Sequence, residues 1–314
     1  MTEMKKMKRT GKVFILFIIL ITGVWGWNTY GKSLDLQGLT QTSPSKMKQA
    51  EGVHIQNLGL TGSVALLIDD RDGTILYDKN ANKRIYPAST TKILTTLLAL
   101  KYGDLNEEMT IGDEVNAKVK GESTAYLMEG STYTLREILA GLMLPSGNDA
   151  ARTIAVNIGK KIAGDEGLSQ QKATAAFVDE MNRYAKKLGA NHSHFVNSNG
   201  LHNRNHYTTA YDMALITQAA MKMEGFMDIV SQSSYRDKSV TFKNTNMLLD
   251  PDNEHYFEGV DGIKTGFTDE AGRCLISSIK VDGRHLIALV FDSTKEDIFQ
   301  DSTALLNAGI NYGG

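Results

Sequence analysis

The spacing of apolar residues predicts strands at both ends of the chain and helices between them. Strand patterns bounded by turn residues predict strands at 63–68, 74–77, 262–266, 273–280 and 286–291. Longer apolar patterns predict helices at 89–100, 135–144, 149–159, 173–188, 209–223 and about 295–306. Strands from both termini around a helical middle predict a mixed α+β fold. One antiparallel sheet would carry flanking helices, and a helical lobe at about 104–239 would be inserted into it.

The start of the chain combines basic and apolar character. Five of the first twelve residues are basic, and an apolar run from Val13 to Trp27 follows. Because basic residues before an apolar run stay on the cytoplasmic side, we expect residues 1–12 to form a cytoplasmic tail and 13–30 a membrane anchor. The folded part would then lie outside the cytoplasm. The run also suits a signal-peptide core, which would give a secreted protein, but no small-x-small cleavage site follows it.

Composition is ordinary for a globular protein and narrows the function only a little. Residues 31–58 are polar without periodicity and predict a linker, so we expect the folded domain at 59–314. The net charge of −2 gives no overall positive potential of the kind that attracts nucleic acid, so the sequence does not indicate a nucleic-acid-binding protein. The single cysteine, Cys274, excludes an internal disulfide.

Three short polar motifs carry the candidate chemistry. In chain order they are Ser89-Thr90-Thr91-Lys92, Ser146-Gly147-Asn148 and Lys264-Thr265-Gly266. The S-x-x-K spacing occurs five times in this chain and means little alone, whereas S-G-N and K-T-G occur once each. At ordinary residue frequencies, both would follow an S-x-x-K in this order in under about one chain in a hundred. The combination therefore predicts a serine acyl-enzyme site.

The first motif pairs a nucleophile with a base. Ser89 and Lys92 are three residues apart on a predicted helix, so their side chains share one face. A serine hydroxyl is a poor nucleophile until a base takes its proton. Burial and a second cation, Lys264, would both lower the pKa of Lys92, and a neutral lysine can act as that base.

The other two motifs supply polar groups from distant parts of the chain. Ser146 and Asn148 lie between two predicted helices, where an ordinary turn uses the same residue types. Side chains alternate on a strand, so Lys264 and Gly266 share one face and Thr265 lies on the other. Gly266 would let a substrate backbone lie close to the strand.

With their flanking residues, the motifs resemble the D-alanyl-D-alanine carboxypeptidases, the low-molecular-mass penicillin-binding proteins. The likeness runs from about Gly59 to the end and includes the strings at 195–201, 206–210 and 243–246. It implies the β-lactamase/transpeptidase-like fold, with the site between two lobes. It also implies a serine carboxypeptidase that removes the terminal D-alanine of peptidoglycan stem peptides through an acyl-enzyme, is inhibited by β-lactams and needs no metal or other cofactor.

The resemblance also implies a role for each motif residue. Ser89 would be the nucleophile and Lys92 its base, although the acylation base is disputed in parts of this superfamily. Ser146 would relay a proton to the leaving amine, and Asn148 would bond the substrate's backbone amide. Binding of the substrate's terminal carboxylate and of the oxyanion would fall to Lys264, Thr265, Gly266 and the backbone N–H groups of Ser89 and Phe267.

Two departures from the family pattern and three alternative functions stay open. Where many relatives carry a carboxylate-binding arginine before the last helix, this chain has Lys295. Many relatives continue into a small β-domain and an amphipathic membrane helix, whereas this chain ends at Gly314, so we expect the N-terminal anchor to replace that attachment. The alternatives are an endopeptidase or transpeptidase acting on cross-links, a β-lactamase, and a non-catalytic cell-wall-binding protein.

Two weaker signals favour ordinary structural roles. Four histidines between His192 and His206 include an H-x-H pair that can bind zinc, but His206 falls in a string that resembles this metal-free family. Glu180 lies near the position of the deacylating glutamate of class A β-lactamases, without the sequence context of that residue. We therefore expect Glu180 to be a solvated helix residue.

Overall fold

The computed structural model describes residues 47–50, 55–237 and 240–312. They belong to one compact unit, Pro44–Gly314. The expected cytoplasmic tail and membrane anchor at 1–30 lie outside the described residues. Within the described ranges, no helix is both long and apolar enough to cross a bilayer.

A six-stranded sheet forms the centre of the fold, in the order β1-β3-β2-β10-β9-β8. Its strands are β1 (Lys48–Gln49), β2 (Val64–Asp69), β3 (Thr74–Lys79), β8 (Val260–Thr268), β9 (Gly272–Val281) and β10 (Arg284–Ser293). Two short two-stranded sheets stand apart from it: β4 (Glu108–Thr110) with β5 (Thr132–Thr134), and β6 (Ser234–Arg236) with β7 (Thr241–Lys243). Because β2 pairs antiparallel with β10, one sheet is built from both ends of the chain, as predicted.

The strand β1 corrects two expectations. Lys48 and Gln49 pair with Thr74 and Ile75 of β3 in parallel, so the sheet is mixed at this edge, and the other pairs are antiparallel. These residues also lie inside the range expected to be a linker, so the folded part begins before residue 59. A two-residue edge strand held by backbone hydrogen bonds leaves no apolar periodicity in the sequence, which is why the pattern missed it.

Seven α-helices occur in the described residues. They are α1 (Lys92–Tyr102), α2 (Leu135–Met143), α3 (Asn148–Ala163), α4 (Gln170–Lys187), α5 (Ala210–Met221), α6 (Phe226–Val230) and α7 (Ile298–Ile310). The helices α2 to α6 lie in the range predicted to be a helical lobe. The capping box of Thr134 and Glu137 begins α2, and the left-handed Gly164 ends α3.

Helices cover both faces of the sheet. In β2, Leu66 and Ile68 belong to the larger core cluster together with residues of α1 and α5. Their neighbours Ala65 and Leu67 belong to a second cluster together with Leu305 of α7. Side chains alternate between the faces of a strand, so a strand that is apolar throughout must be covered on both sides. The strand β8 forms the edge of the sheet opposite β1 and carries the K-T-G motif.

Candidate active site

The nucleophile motif begins in a tighter turn than predicted. Ala88–Thr91 forms a 3₁₀ turn, and the α-helix starts only at Lys92. The N–H and the hydroxyl of Thr90 both donate to the carbonyl of Pro87, at 3.2 and 2.7 Å, which closes the turn over three residues. Ser89 is half-buried in this turn. Its side chain still reaches the lysine, with 2.9 Å between Ser89 Oγ and Lys92 Nζ.

The amine of Lys92 is fully buried and has three oxygen neighbours. Besides Ser89 Oγ, it contacts Asn148 Oδ1 at 2.7 Å and the carbonyl oxygen of Asn199 at 2.9 Å. The last two oxygens can only accept hydrogen bonds. A neutral amine therefore donates its two hydrogens to them and directs its lone pair at the Ser89 hydroxyl. This is the arrangement that a general base requires.

The charges around Lys92 favour that neutral form. Burial holds the pKa of Lys92 well below its usual value, and the Lys264 ammonium lowers the pKa further. Both causes were expected from the sequence. The carboxylates of Glu122 and Asp149 oppose the shift by raising the pKa of Lys92, and Arg152 again lowers it.

The S-G-N motif lies in the turn between α2 and α3, with Asn148 as the first residue of α3. Ser146 is buried and has a backbone φ of 65°, a left-handed conformation that is costly for a serine. Among the described residues, its Oγ has no hydrogen-bond partner. A buried hydroxyl held in a strained turn without a partner is able to bond an incoming group.

Glu122 and Arg152 belong to this site, although no sequence motif pointed to either. Asn148 Nδ2 donates to Glu122 Oε2 at 3.1 Å. Arg152 donates to both oxygens of the same carboxylate, at 3.1 and 2.8 Å. Burial would raise the pKa of Glu122, but hydrogen bonds from Arg152 and Asn148 hold the pKa below its usual value, so this carboxylate is charged.

The K-T-G strand passes directly against the nucleophile turn. A Cβ on Gly266 would lie 3.1 Å from the Ser89 nitrogen and 3.3 Å from the carbonyl oxygen of Pro87. The missing side chain of Gly266 thus lets the nucleophile turn pack close to the strand, an approach that the sequence analysis expected of a substrate backbone. Phe267, whose backbone N–H is the second expected oxyanion donor, follows at once, and its exposed ring lies 4.1 Å from the guanidinium of Arg273.

Lys264 is buried inside this strand, 1% exposed. Its Nζ donates to the carbonyl of Thr265 at 3.0 Å, and burial lowers its pKa to about 7. Two residues further along the same strand, Gly266 packs against the backbone of Ser89, and Asn148 contacts Lys92, so all three motifs share one region. The three motifs therefore converge, which the sequence required of an acyl-enzyme site but could not demonstrate.

Three further residues, Thr245, Asn199 and Gly200, line the site and lie outside the three motifs. The hydroxyl of Thr245 lies 2.6 Å from that of Thr265 and 3.2 Å from the carbonyl of Leu144, so it joins the K-T-G strand to the segment before Ser146. Asn199 and Gly200 belong to the string at 195–201. Gly200 packs against the carbonyl group of Ala88, and a Cβ added to Gly200 would lie only 1.8 Å from the Ala88 carbonyl oxygen.

The remaining polar candidates take structural roles. Val196 N–H donates to His206 Nδ1 at 3.1 Å, so the neutral ring carries its proton on Nε2 and donates to Thr91 Oγ1 at 2.8 Å. Burial lowers the pKa of His206 to about 3.

Glu180 is buried and accepts a hydrogen bond from the hydroxyl of Tyr102 at 2.6 Å, so the expectation of a solvated glutamate was wrong. Lys295 is exposed in the loop between β10 and α7.

Comparison with known proteins identifies the family. The profile of the D-alanyl-D-alanine carboxypeptidase family matches residues 51–295. The chain belongs to this family. The carboxypeptidase DacF of Bacillus subtilis is 34% identical over 262 residues, which cover 80% of this chain but only 62% of the relative. The chain thus spans less than two thirds of the length of DacF.

Two solved structures of the family share the fold. The crystal structure of the Streptomyces K15 DD-transpeptidase matches 80% of this chain and 97% of its own, with 32% identity and a TM-score of 0.73. Penicillin-binding protein D2 of Listeria monocytogenes, solved with ampicillin bound, matches 81% of this chain and all of its own, with 28% identity and a TM-score of 0.68. The described fold is therefore the penicillin-binding, transpeptidase-like fold.

Proposed function

We propose that this protein is a serine D-Ala-D-Ala carboxypeptidase that trims the terminal D-alanine from peptidoglycan stem peptides. The observation that carries the proposal is the surroundings of Lys92. Two acceptor-only oxygens hold its hydrogens, and its lone pair has the Ser89 hydroxyl within 2.9 Å. Family membership supplies the substrate class, and the ampicillin-bound Listeria relative supports β-lactams as inhibitors.

The reaction follows from these positions. Ser89 Oγ attacks the carbonyl carbon between the two D-alanines while its proton passes to Lys92 Nζ. The C–N bond breaks, and the leaving amine receives a proton through Ser146, whose hydroxyl is unpartnered within the described residues. Water then attacks the ester, its proton returns to Ser89 Oγ, and the shortened peptide leaves. The chemistry needs no cofactor, because the buried lysine supplies the base.

The direct test is covalent labelling with a fluorescent penicillin, combined with release of free D-alanine from a synthetic peptide ending in D-Ala-D-Ala. We expect the full-length chain to do both and Ser89→Ala to do neither. Ser169→Ala is a matched control, because Ser169 and Lys172 have the same S-x-x-K spacing at the start of α4. Equal labelling of wild type and Ser89→Ala would refute the assignment of the nucleophile.

Transpeptidation is the second candidate, and the structural match to the Streptomyces K15 DD-transpeptidase favours it. In this reaction an amine, instead of water, attacks the same ester. Adding an acceptor such as glycylglycine to the D-alanine assay separates the two. A new peptide that carries glycylglycine in place of the terminal D-alanine, formed at the expense of the hydrolysed peptide, would support transpeptidation, and unchanged hydrolysis would support the carboxypeptidase.

For localisation, we propose that residues 13–30 anchor the chain in the bacterial cell membrane, with the catalytic domain on the outer side. The support is the apolar run from Val13 to Trp27 behind five basic residues. Mass spectrometry of the protein recovered from membranes tests it. An intact N-terminus supports the anchor, and a mature chain that starts near residue 30 would show instead that the segment is a cleaved signal.

A further inference from the structure

The amide of Asn148 poses an orientation problem that the motif residues do not solve. Its oxygen must face Lys92, because a carbonyl oxygen takes a hydrogen from the amine and leaves the lone pair free for Ser89. With the amide rotated by half a turn, the NH₂ group would face the amine and compete with the Ser89 hydroxyl for that lone pair. Some other group has to fix the rotation.

Glu122 is placed to fix it. Its carboxylate contacts the other end of the Asn148 amide, at 3.1 Å from Nδ2. An ionised carboxylate only accepts hydrogen bonds, so it admits the NH₂ end and excludes the carbonyl end. The Glu122 side chain is 3% exposed, and the bidentate contact with Arg152 keeps it in one position and charged.

We propose that Glu122 is a positioning residue for acylation, which orients the Asn148 amide toward Lys92 and is itself held by Arg152. The inference rests on the proposed acyl-enzyme function and deepens it. The chain Arg152–Glu122–Asn148–Lys92–Ser89 connects α3, the loop before β5 and the nucleophile turn. Donation runs from Ser89 through Lys92 and Asn148 to Glu122, and Arg152 donates to Glu122 from the other side.

A second consequence is electrostatic. The charged groups that act on Lys92 are Glu122 and Asp149, which raise its pKa, and Lys264 and Arg152, which lower it. Removing the charge of Glu122 leaves Arg152 uncompensated, so the pKa of Lys92 must fall. At an effective permittivity of about 20, a unit charge about 8 Å away, roughly the span of the two hydrogen bonds and the amide between them, corresponds to a shift of about 1–2 pH units.

The test measures the second-order rate of acylation by a fluorescent penicillin between pH 5 and 10. For Glu122→Gln, whose amide can both donate and accept, we expect a plateau about tenfold lower and an acid limb about 1–2 pH units lower than in the wild type. The matched control is Glu129→Gln. Glu129 is an exposed glutamate of the same loop that bonds Asn116, and we expect this variant to stay within twofold of the wild type.

A merely structural ion pair predicts a different result. Glu122→Gln would then lower the melting temperature and still shift the acid limb, because the charge is lost in either case, but it would leave the plateau rate of acylation at the wild-type level, and that outcome overturns the proposal. If Glu122→Gln does not fold, Glu122→Asp decides. It keeps the charge but is one methylene shorter, so we expect an unmoved acid limb with a lowered plateau, and a wild-type plateau would overturn the proposal. A wild type that forms no acyl-enzyme refutes the proposed function itself, which separates the two failures.

Discussion

Replacing Gly200 by alanine should disable the site without touching any catalytic side chain. The added Cβ would lie 1.8 Å from the carbonyl oxygen of Ala88 and 3.0 Å from the Ser89 nitrogen, at a φ of 84°. The backbone conformation alone costs about 1–2 kcal/mol, and relief of the overlap adds about 1–3 kcal/mol. The overlap can be relieved only by moving the nucleophile turn or Asn199, whose carbonyl binds Lys92.

A displacement of about 1 Å at the reacting atoms lowers an enzymatic rate by about a hundredfold, so we expect a loss of that order in penicillin acylation. Gly164→Ala is the control. Gly164 has a φ of 68° at the end of α3, and no atom lies within 4 Å of the position that an added Cβ would take, so it bears the backbone cost alone. Chemical denaturation and acylation rates are measured on both variants. If Gly200→Ala acylates as fast as Gly164→Ala, the contact between Gly200 and Ala88 does not position the nucleophile.

Three further outcomes follow from the site. Asp149→Ala should cost about 2–4 kcal/mol in denaturant unfolding, because the buried carboxylate binds Thr124 Oγ1 and the N–H groups of Ala125 and Leu127; an unchanged midpoint contradicts this. Ser146→Ala should change the free energy of unfolding by less than about 1 kcal/mol but slow the release of D-alanine by about 10²–10⁴-fold. Equal rates of D-alanine release in this variant and the wild type would refute the role of Ser146 as a proton relay. Between pH 7 and 10.5, the Lys264 amine is protonated in the unfolded chain but not in the folded protein, so the free energy of unfolding rises with pH in this window. Lys264→Met should therefore flatten the rise of melting temperature with pH. An unaltered slope of melting temperature against pH would refute the lowered pKa of Lys264.

Some elements could be read from the sequence because their signals are local. The helix α2 is nine residues with a capping box at its start and a proline after its end, and the structure places it at Leu135–Met143 against the predicted 135–144. The strands β9 and β10 each carry an apolar-rich central stretch, and the turn at Asp282-Gly283 joins them. The start of α1 was shifted by three residues, because the Thr90 side chain bonds the Pro87 carbonyl and stabilises a tighter turn.

The sequence by itself determined the fold class and the three motifs, because apolar periodicity and residue spacing are properties of short segments. Only the tertiary structure decided which groups share the cleft. Glu122 contacts Asn148 across 26 positions, and Asn199 contacts Lys92 across 107. No local pattern records such contacts, since they depend on how distant segments of the helical lobe pack against one another and against α1. For the same reason, the burial that makes Lys92 a base is a property of the assembled fold.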